Sequence, residues 1–253
     1  KPGTRVWGSN QGFLGRQGTC SELAAVDEDW LYPTPDGVGD ELAAAGALVG
    51  ITAHLGLFRE ANLQSGQTVF VNGGTGGVGS TVVQMAKGAG ARVITTGSSD
   101  EKVAACRELG ADLAINYRTE DIVKRVTNFA PGGVDIYWDV TREPNFDTAV
   151  TCLRERGRMV VMAGRDARPE FPLGPFYVKE LRLSGFVMFK ASPDEQRTCA
   201  DDINRYLARG TFQPCIDRIV PLAETAAAHR AQEESTVDNT RALAGKIVIR
   251  PGE

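Results

Sequence analysis

The chain has 253 residues, 42% of them hydrophobic and 24% charged, with a formal net charge of −4. That length holds one large domain or two ordinary ones, and the composition is globular; the acidic balance argues against a nucleic-acid partner. The five cysteines (Cys20, Cys106, Cys152, Cys199, Cys215) are scattered and odd in number, with no CxxC pair, so neither a disulfide frame nor a zinc knuckle is expected, and no apolar run approaches the ~18 residues of a membrane span.

Residues 1 to 40 carry turn residues, among them Gly3, Gly8, Asn10, Gly12, Gly15, Pro33 and Gly37, between short apolar runs, which predicts a β-rich segment. The opening Lys1-Pro2-Gly3-Thr4-Arg5-Val6 reads as the interior of a domain, and no signal peptide is read there. Ala43–Arg59 then reads as a helix. From Gln67 to Phe186 strand-like and helix-like segments alternate. The expected strands are Thr68–Asn72, Arg92–Thr96, Leu113–Asn116, Val134–Asp139, Met159–Met162 and Leu181–Phe186, short and rich in Val, Ile and Leu. Helices are expected at Ser80–Lys87, Asp100–Leu109, Thr119–Phe129 and Phe146–Leu153. Gly88 and Gly110 stand where C-caps belong, and Thr119-Glu120-Asp121-Ile122 where a helix begins. This alternation predicts an α/β fold with a doubly wound parallel sheet. A helix over Asp194–Arg209, a strand Ile216–Val220, a helix Ala223–Glu233 and a strand Lys246–Arg250 break the alternation. The two flanks are therefore expected to form a second, discontinuous domain, 1–42 with 215–253, around a nucleotide domain at 43–214.

Gly73-Gly74-Thr75-Gly76-Gly77-Val78-Gly79 lies between the first of these strands and its helix, and Gly74, Gly76 and Gly79 fit G-x-G-x-x-G. Strand, tight turn and helix start are the context a dinucleotide site requires: glycine admits the diphosphate to bare main chain, and free N–H groups at the helix N-terminus hold it. Gly74, Thr75, Gly76, Gly77, Val78 and Gly79 are the candidate phosphate contacts. The second strand decides the nucleotide. An NAD site places a carboxylate at its end, about 20 residues past the glycines. Here the strand runs into Gly97-Ser98-Ser99, with Lys102 a helical turn on and Tyr117-Arg118 after the third strand. Hydroxyls and a cation suit a 2′-phosphate. The competing reading has Ser98 capping the helix and Asp100 gripping the ribose of NAD.

These residues resemble the zinc-free quinone oxidoreductase (zeta-crystallin-like) branch of the medium-chain dehydrogenase/reductase superfamily. Gly66-Gln67, Gly74 to Gly79, Gln84 and Lys87 carry the signature, with Phe70 and Thr75 departing from its strict form. Gly50-Ile51-Thr52-Ala53, Ala114-Ile115-Asn116-Tyr117, Gly133-Val134-Asp135, Gly157-Arg158-Met159-Val160 and Gly245-Lys246-Ile247-Val248 match in order along the chain. The resemblance implies a Rossmann sheet plus a discontinuous GroES-like β-rich domain whose N-terminal part is absent. It implies NADPH as cofactor, with Thr52 near the nicotinamide, Ser98, Lys102 and Tyr117 around the 2′-phosphate, Val140, Gly164, Phe186 and Val187 along the cofactor, and Arg241 and Lys246 approaching from the C-terminal side. It also removes the metal: Leu48 stands where zinc-dependent relatives carry a catalytic Cys, and Arg5 to Ala25 holds only Cys20.

The implied activity is hydride transfer from NADPH to quinones or other α,β-unsaturated carbonyls, in a cytoplasmic homodimer acting on a small molecule, without nucleic acid or membrane. Two alternatives stay open: a zinc-free alcohol dehydrogenase or enoyl-thioester reductase, and a non-catalytic NADPH-binding, crystallin- or RNA-associated protein. The catalytic residue is not identified. His54 is read more readily as a helix-surface histidine than as a proton donor, and Tyr32 and Tyr177 are the tyrosines that fit a cleft.

Overall fold

The computed structural model describes residues 1–237, 240 and 243–252. In chain order the elements are β1 (Val6–Gly8), β2 (Leu31–Pro33), α1 (Asp40–His54), β3 (Thr68–Asn72), α2 (Gly77–Gly88), β4 (Arg92–Gly97), α3 (Asp100–Glu108), β5 (Leu113–Asn116), α4 (Ile122–Phe129), β6 (Val134–Asp139), α5 (Phe146–Cys152), β7 (Leu153–Val161), α6 (Leu173–Val178), β8 (Arg182–Gly185), α7 (Pro193–Ala208), β9 (Ile216–Pro221), α8 (Thr225–Thr236) and β10 (Lys246–Arg250); a π-helical turn, Leu55–Glu60, continues α1. They form two compact units, Lys1–Thr52 with Met188–Glu253, and Ala53–Val187.

In the unit Ala53–Val187 six parallel strands lie in the order β5-β4-β3-β6-β7-β8. The apolar runs explain this burial: Val69, Phe70 and Val71 of β3 have no exposed surface, as a strand covered on both faces requires. The chain builds outward from β3 in one direction and from β6 in the other. The topological switch point of the sheet therefore falls between β3 and β6, where open α/β sheets bind ligands at the carboxyl ends of their strands. On one face Phe70 stacks on Tyr137 at 4.6 Å, within a core that includes Ile94, Ile115, Val126 and Leu153. Each such side chain, fully buried, contributes roughly 1.5–3 kcal/mol.

Local chemistry sets the element ends. Gly90 (φ +82°) and Gly110 (φ +100°) close α2 and α3 in left-handed turns, with Ala91 N–H on Ala86 C=O and Ala111 N–H on Cys106 C=O. The cap expected at Gly88 thus falls two residues later, and Gly88 stays helical. The helix expected from Thr119 starts at Ile122, because the Asp121 side chain accepts from Lys124 N–H and caps it. The strand expected at Met159–Met162 begins earlier, at Leu153. Helix α6, absent from the sequence reading, is six residues long and contains Gly174 and Pro175, residues that read as breakers.

In the other unit only β1 and β2 pair within the first 40 residues, antiparallel, with Trp7 opposite Tyr32 and their rings 4.8 Å apart. Gln196 of α7 is fully buried; it accepts from Ser9 Oγ (2.7 Å) and donates to Met188 C=O (3.0 Å). Strands β9 and β10 run parallel. Gly46 and Gly50 let α1 approach Phe212, Pro214 and Ile203, where an added Cβ would lie 2.9 Å from Pro214 Cγ and 3.1 Å from Ile203 Cδ1. These contacts draw α1 up to Thr52, and α7, into this unit, whereas the sequence reading assigned both to the nucleotide domain.

A run of membrane-spanning length does occur, contrary to the expectation from sequence. Asp40–Glu60 is a continuous 21-residue helix long and apolar enough to cross a membrane, and 67% of its most apolar window is buried inside the protein. A helix that is apolar all round is also what a protein core demands.

Within the sheet unit, Gly56 in the π-helical turn faces Trp138, which is fully buried; an added Cβ would lie 2.0 Å from Trp138 Cη2 and 2.9 Å from Phe186 Cε1. Gly56→Ala is expected to lower unfolding free energy by about 2–3 kcal/mol in urea titrations, the overpacking cost.

Candidate functional site

The turn from β3 into α2 is built from glycines with distinct tasks. Gly73 sits at φ +100°, where side chains are strained, and a Cβ there would meet Val140 Cγ2 at 2.8 Å. At Gly74 a Cβ would lie 2.2 Å from Thr95 Oγ1 and 2.9 Å from Cys106 Sγ; at Gly79 it would lie 1.8 Å from the Gly73 carbonyl oxygen. Gly76, the N-cap of α2, is the opposite case: nothing lies within 4 Å of its Cβ position. Three glycines are thus required by packing and one opens onto free space at the start of a helix. Ser80 N–H donates to Gly76 C=O, so the Gly77, Val78 and Gly79 N–H groups are the first-turn donors of α2. That is an anion cradle at the positive end of a helix dipole, beside the switch point.

Behind the loop the three central strands end in polar side chains, which the sequence reading did not single out. Gly73 N–H donates to Thr96 Oγ1 (2.9 Å), and Thr96 Oγ1 donates to Asn72 Oδ1 (3.2 Å). Asn72 Nδ2 reaches Asp139 Oδ1 and Oδ2 at 3.5 and 3.4 Å. Thr141 gives Asp139 Oδ1 its backbone N–H (2.8 Å) and its hydroxyl (2.6 Å). Asp139 is 1% exposed. Burial pushes its carboxyl above the usual range, against the lowering effect of the Thr141 and Asn72 bonds. The signal available in the sequence was Asn72, Thr96 and Asp139, polar residues at or next to the carboxyl ends of parallel strands.

At the ends of β4 and β5 the structure brings together Ser98, Lys102 and Tyr117. Gly97 pairs with Asn116, and Tyr117 N–H donates to Gly97 C=O (3.2 Å), so Ser98 and Tyr117 leave adjacent strand ends. A Cβ on Gly97 would lie 3.1 Å from Lys102 Cβ, which sets Lys102 against the same end. The helix cap is Ser99, whose side chain accepts from Lys102 N–H, which leaves Ser98 outside the capping role considered for it. One Asp100 oxygen accepts from Asn116 Nδ2 (2.8 Å).

The remaining expected residues divide. Val140 follows Asp139 and touches Gly73; Gly164 (φ +81°) packs on the Arg142 carbonyl, 2.5 Å from its Cβ position. Phe186 crosses Trp138 edge-on at 6.1 Å, and Val187 is 43% exposed. Thr52 and Lys246 belong to the other unit: Thr52 is buried, its hydroxyl on Leu48 C=O, and burial lowers the Lys246 ammonium pKa. Arg241 lies outside the described residues. His54 is no surface residue. It is 6% exposed, with its ring 4.6 Å from that of Phe58. Tyr32 is buried against Trp7, and Tyr177 is largely exposed. Among the described residues no three His, Cys, Asp or Glu side chains are grouped to hold a metal ion.

Residues 77–205 match the family described as zinc-binding dehydrogenase. The quinone oxidoreductase of Pseudomonas aeruginosa is 30% identical over 224 residues, 85% of this chain and 68% of that protein. The chain belongs to the medium-chain dehydrogenase/reductase superfamily. Within it, the likeness is to the quinone oxidoreductase-like branch. Prostaglandin reductase 1 of Bos taurus is 32% identical over 172 residues, 65% of this chain and 52% of that protein, so the chain spans about half the length of this relative. A mycobacterial structure complexed with NADPH superposes with a TM-score of 0.76 at 27% identity, over 88% of this chain and 68% of that one. In this dehydrogenase/reductase the glycine loop combines three crowded glycines with an open position at the N-terminus of α2.

The contrast between the glycines is testable without ligand. Gly79→Ala is expected to destabilise the protein by about 3 kcal/mol or more, since backbone must move, while Gly76→Ala stays within about 1 kcal/mol of the parent, the cost of a poorer cap. Thermal and urea unfolding of both variants checks this.

Proposed function

We propose that this dehydrogenase/reductase chain carries the nucleotide-binding part of an NADPH-dependent, zinc-free reductase that transfers hydride to quinones or other α,β-unsaturated carbonyls. The observation that carries it is the open Gly76 position at the N-terminus of α2, flanked by glycines that packing requires. A diphosphate fits where no Cβ intrudes, and the Gly77, Val78 and Gly79 N–H groups are the donors for it, with Gly74 and Thr75 completing the loop. Ser98, Tyr117 and Lys102 are the proposed contacts of the 2′-phosphate: the place where an NAD site carries a carboxylate holds Gly97-Ser98. The NADPH bound in the mycobacterial neighbour supports that choice. Val140 and Gly164 are proposed to wall the adjoining path, and the resemblance alone adds Thr52, Phe186, Val187, Lys246 and Arg241.

When bound, NADPH supplies the hydride, and the metal-dependent chemistry of zinc relatives is not required. The chain's own part is to hold the dinucleotide rigidly and to keep its charged end in a fixed field of N–H donors, so that orientation is set before the acceptor arrives. The quinone and prostaglandin reductases among its relatives support conjugated carbonyls as acceptors. None of the five cysteines is paired in a disulfide, which accords with the proposed reducing, cytoplasmic setting. A homodimer is proposed through β8, the outermost strand of the sheet, paired only with β7 among the described residues; Leu183 on it is 40% exposed, and an open strand edge invites a second copy.

Absorbance-monitored NADPH oxidation with quinones, enones and simple aldehydes, with a metal chelator present, separates the readings. Turnover of conjugated acceptors under chelation is expected. Turnover of unconjugated aldehydes, or loss of activity on chelation, overturns the proposal. Ser98→Asp is expected to weaken NADPH tenfold or more, about 1.4 kcal/mol, by setting a carboxylate against the 2′-phosphate, with far less effect on NADH; equal effects on both nucleotides remove Ser98 from the phosphate pocket. Sedimentation at micromolar concentration should give a dimer that Leu183→Asp converts to monomer, and a monomeric parent counts against the β8 interface.

A further inference from the structure

The polar ends of β3, β4 and β6 form a relay with a direction. A backbone N–H only donates, a carboxylate only accepts, and each group between them must accept on one side and donate on the other. Gly73 N–H gives to Thr96 Oγ1, Thr96 Oγ1 gives its proton to Asn72 Oδ1, and Asn72 Nδ2 gives to Asp139. The two Thr141 donors hold Asp139 Oδ1 from the other side. Reverse the Asn72 amide and Thr96 Oγ1 loses its acceptor, while Asp139 faces a carbonyl oxygen instead of a donor. Packing converges on the same point: Val140, the residue after Asp139, is what Gly73 rests against, and Gly73 at φ +100° is the residue from which the loop turns.

We propose that Asp139 is a positioning residue for the nucleotide, holding the glycine loop in its binding conformation through Asn72 and Thr96. This rests on reading the glycine loop as the NADPH site. Asp139 does not touch the cofactor. It is buried behind the loop, and its carboxylate fixes which way the Asn72 amide faces; Asn72 Oδ1 then takes the Thr96 hydroxyl proton and holds that oxygen where it accepts from Gly73 N–H. A buried carboxylate whose donors are neutral is costly to keep, and orienting a loop is a reason for this one.

The test uses the full chain and NADPH, with affinity read from reduced-nicotinamide fluorescence and melting temperature measured alongside. Thr96→Val keeps the shape and removes the hydroxyl; NADPH affinity should fall about tenfold, and Thr96→Ser should stay within about threefold of the parent. Asp139→Asn sets two amide donors face to face, and Asn72→Asp sets two carboxylates face to face, so each should weaken NADPH about tenfold or more. The double exchange, Asn72→Asp with Asp139→Asn, restores one donor and one acceptor at every step and should return affinity to within about threefold of the parent. Side chains that merely fill space would give additive losses and no such rescue. Parent-like binding by Thr96→Val, or a double exchange no better than the weaker single, overturns the proposal. If Asp139→Asn melts early, the Thr96 pair decides it. Failure of the unaltered chain to bind NADPH instead overturns the nucleotide reading, and the positioning role with it.

Discussion

The structure depends on glycine main chain packed directly against its neighbours, main chain and side chain, where β3 gives way to α2. A Cβ at Gly79 would fall 1.8 Å from the Gly73 carbonyl oxygen, and one at Gly74 would fall 2.2 Å from Thr95 Oγ1. Only with both absent can the helix begin so close to the end of the central strand. That closeness brings the first-turn N–H groups to the switch point between β3 and β6. The positive end of the helix and the mouth of the sheet then coincide, and neither alone would hold a doubly charged diphosphate well.

Around this turn the buried polar side chains that end the central strands are hydrogen-bonded to one another, whereas the indole N–H of Trp138, beside Asp139 on β6, is buried without a partner among the described residues. In the sheet unit the relay from Gly73 to Asp139 satisfies the ends of three strands at once. In the other unit Gln196, with no exposed surface, does the same for Ser9 and for the Met188 and Ala191 carbonyls. A loop tied by such bonds has few alternative conformations of similar energy. Loops that must present N–H groups to a ligand gain from that rigidity, because less ordering remains to be done on binding.

The ends of β4 and β5 show the same economy of means. The last pair of the β4–β5 ladder is Gly97 with Asn116, and beyond it the two chains part with Ser98 on one and Tyr117 on the other. Asn116 also engages Asp100 and, through its backbone N–H, Glu120. The acids nearest this end are thereby occupied with protein donors. The membership of this chain in the medium-chain dehydrogenase/reductase superfamily accords with that layout, although the chain spans only 52% of the prostaglandin reductase it resembles.

Much of this was legible in order along the chain. The strands β3, β5, β6 and β10 stand where the apolar runs put them, and the glycine loop falls between strand and helix as its spacing required. What was not legible has physical causes. Asp121 rather than Thr119 begins α4 because a cap is chosen by which side chain reaches the free N–H groups, and several candidates stood together. Helix α6 was hidden by its glycine and proline. His54 was read as a surface residue, but the face of a helix that is apolar all round cannot be told from periodicity. The relay was invisible because Asn72, Thr96 and Asp139 are far apart in sequence, and hydrogen-bond partners across parallel strands are set by register. Local propensity and glycine spacing, properties of neighbouring residues, were determined by the sequence by itself. Which polar strand ends meet, which glycine is crowded and which is open were decided only by the tertiary structure, because those are distances between residues that the chain brings together only on folding.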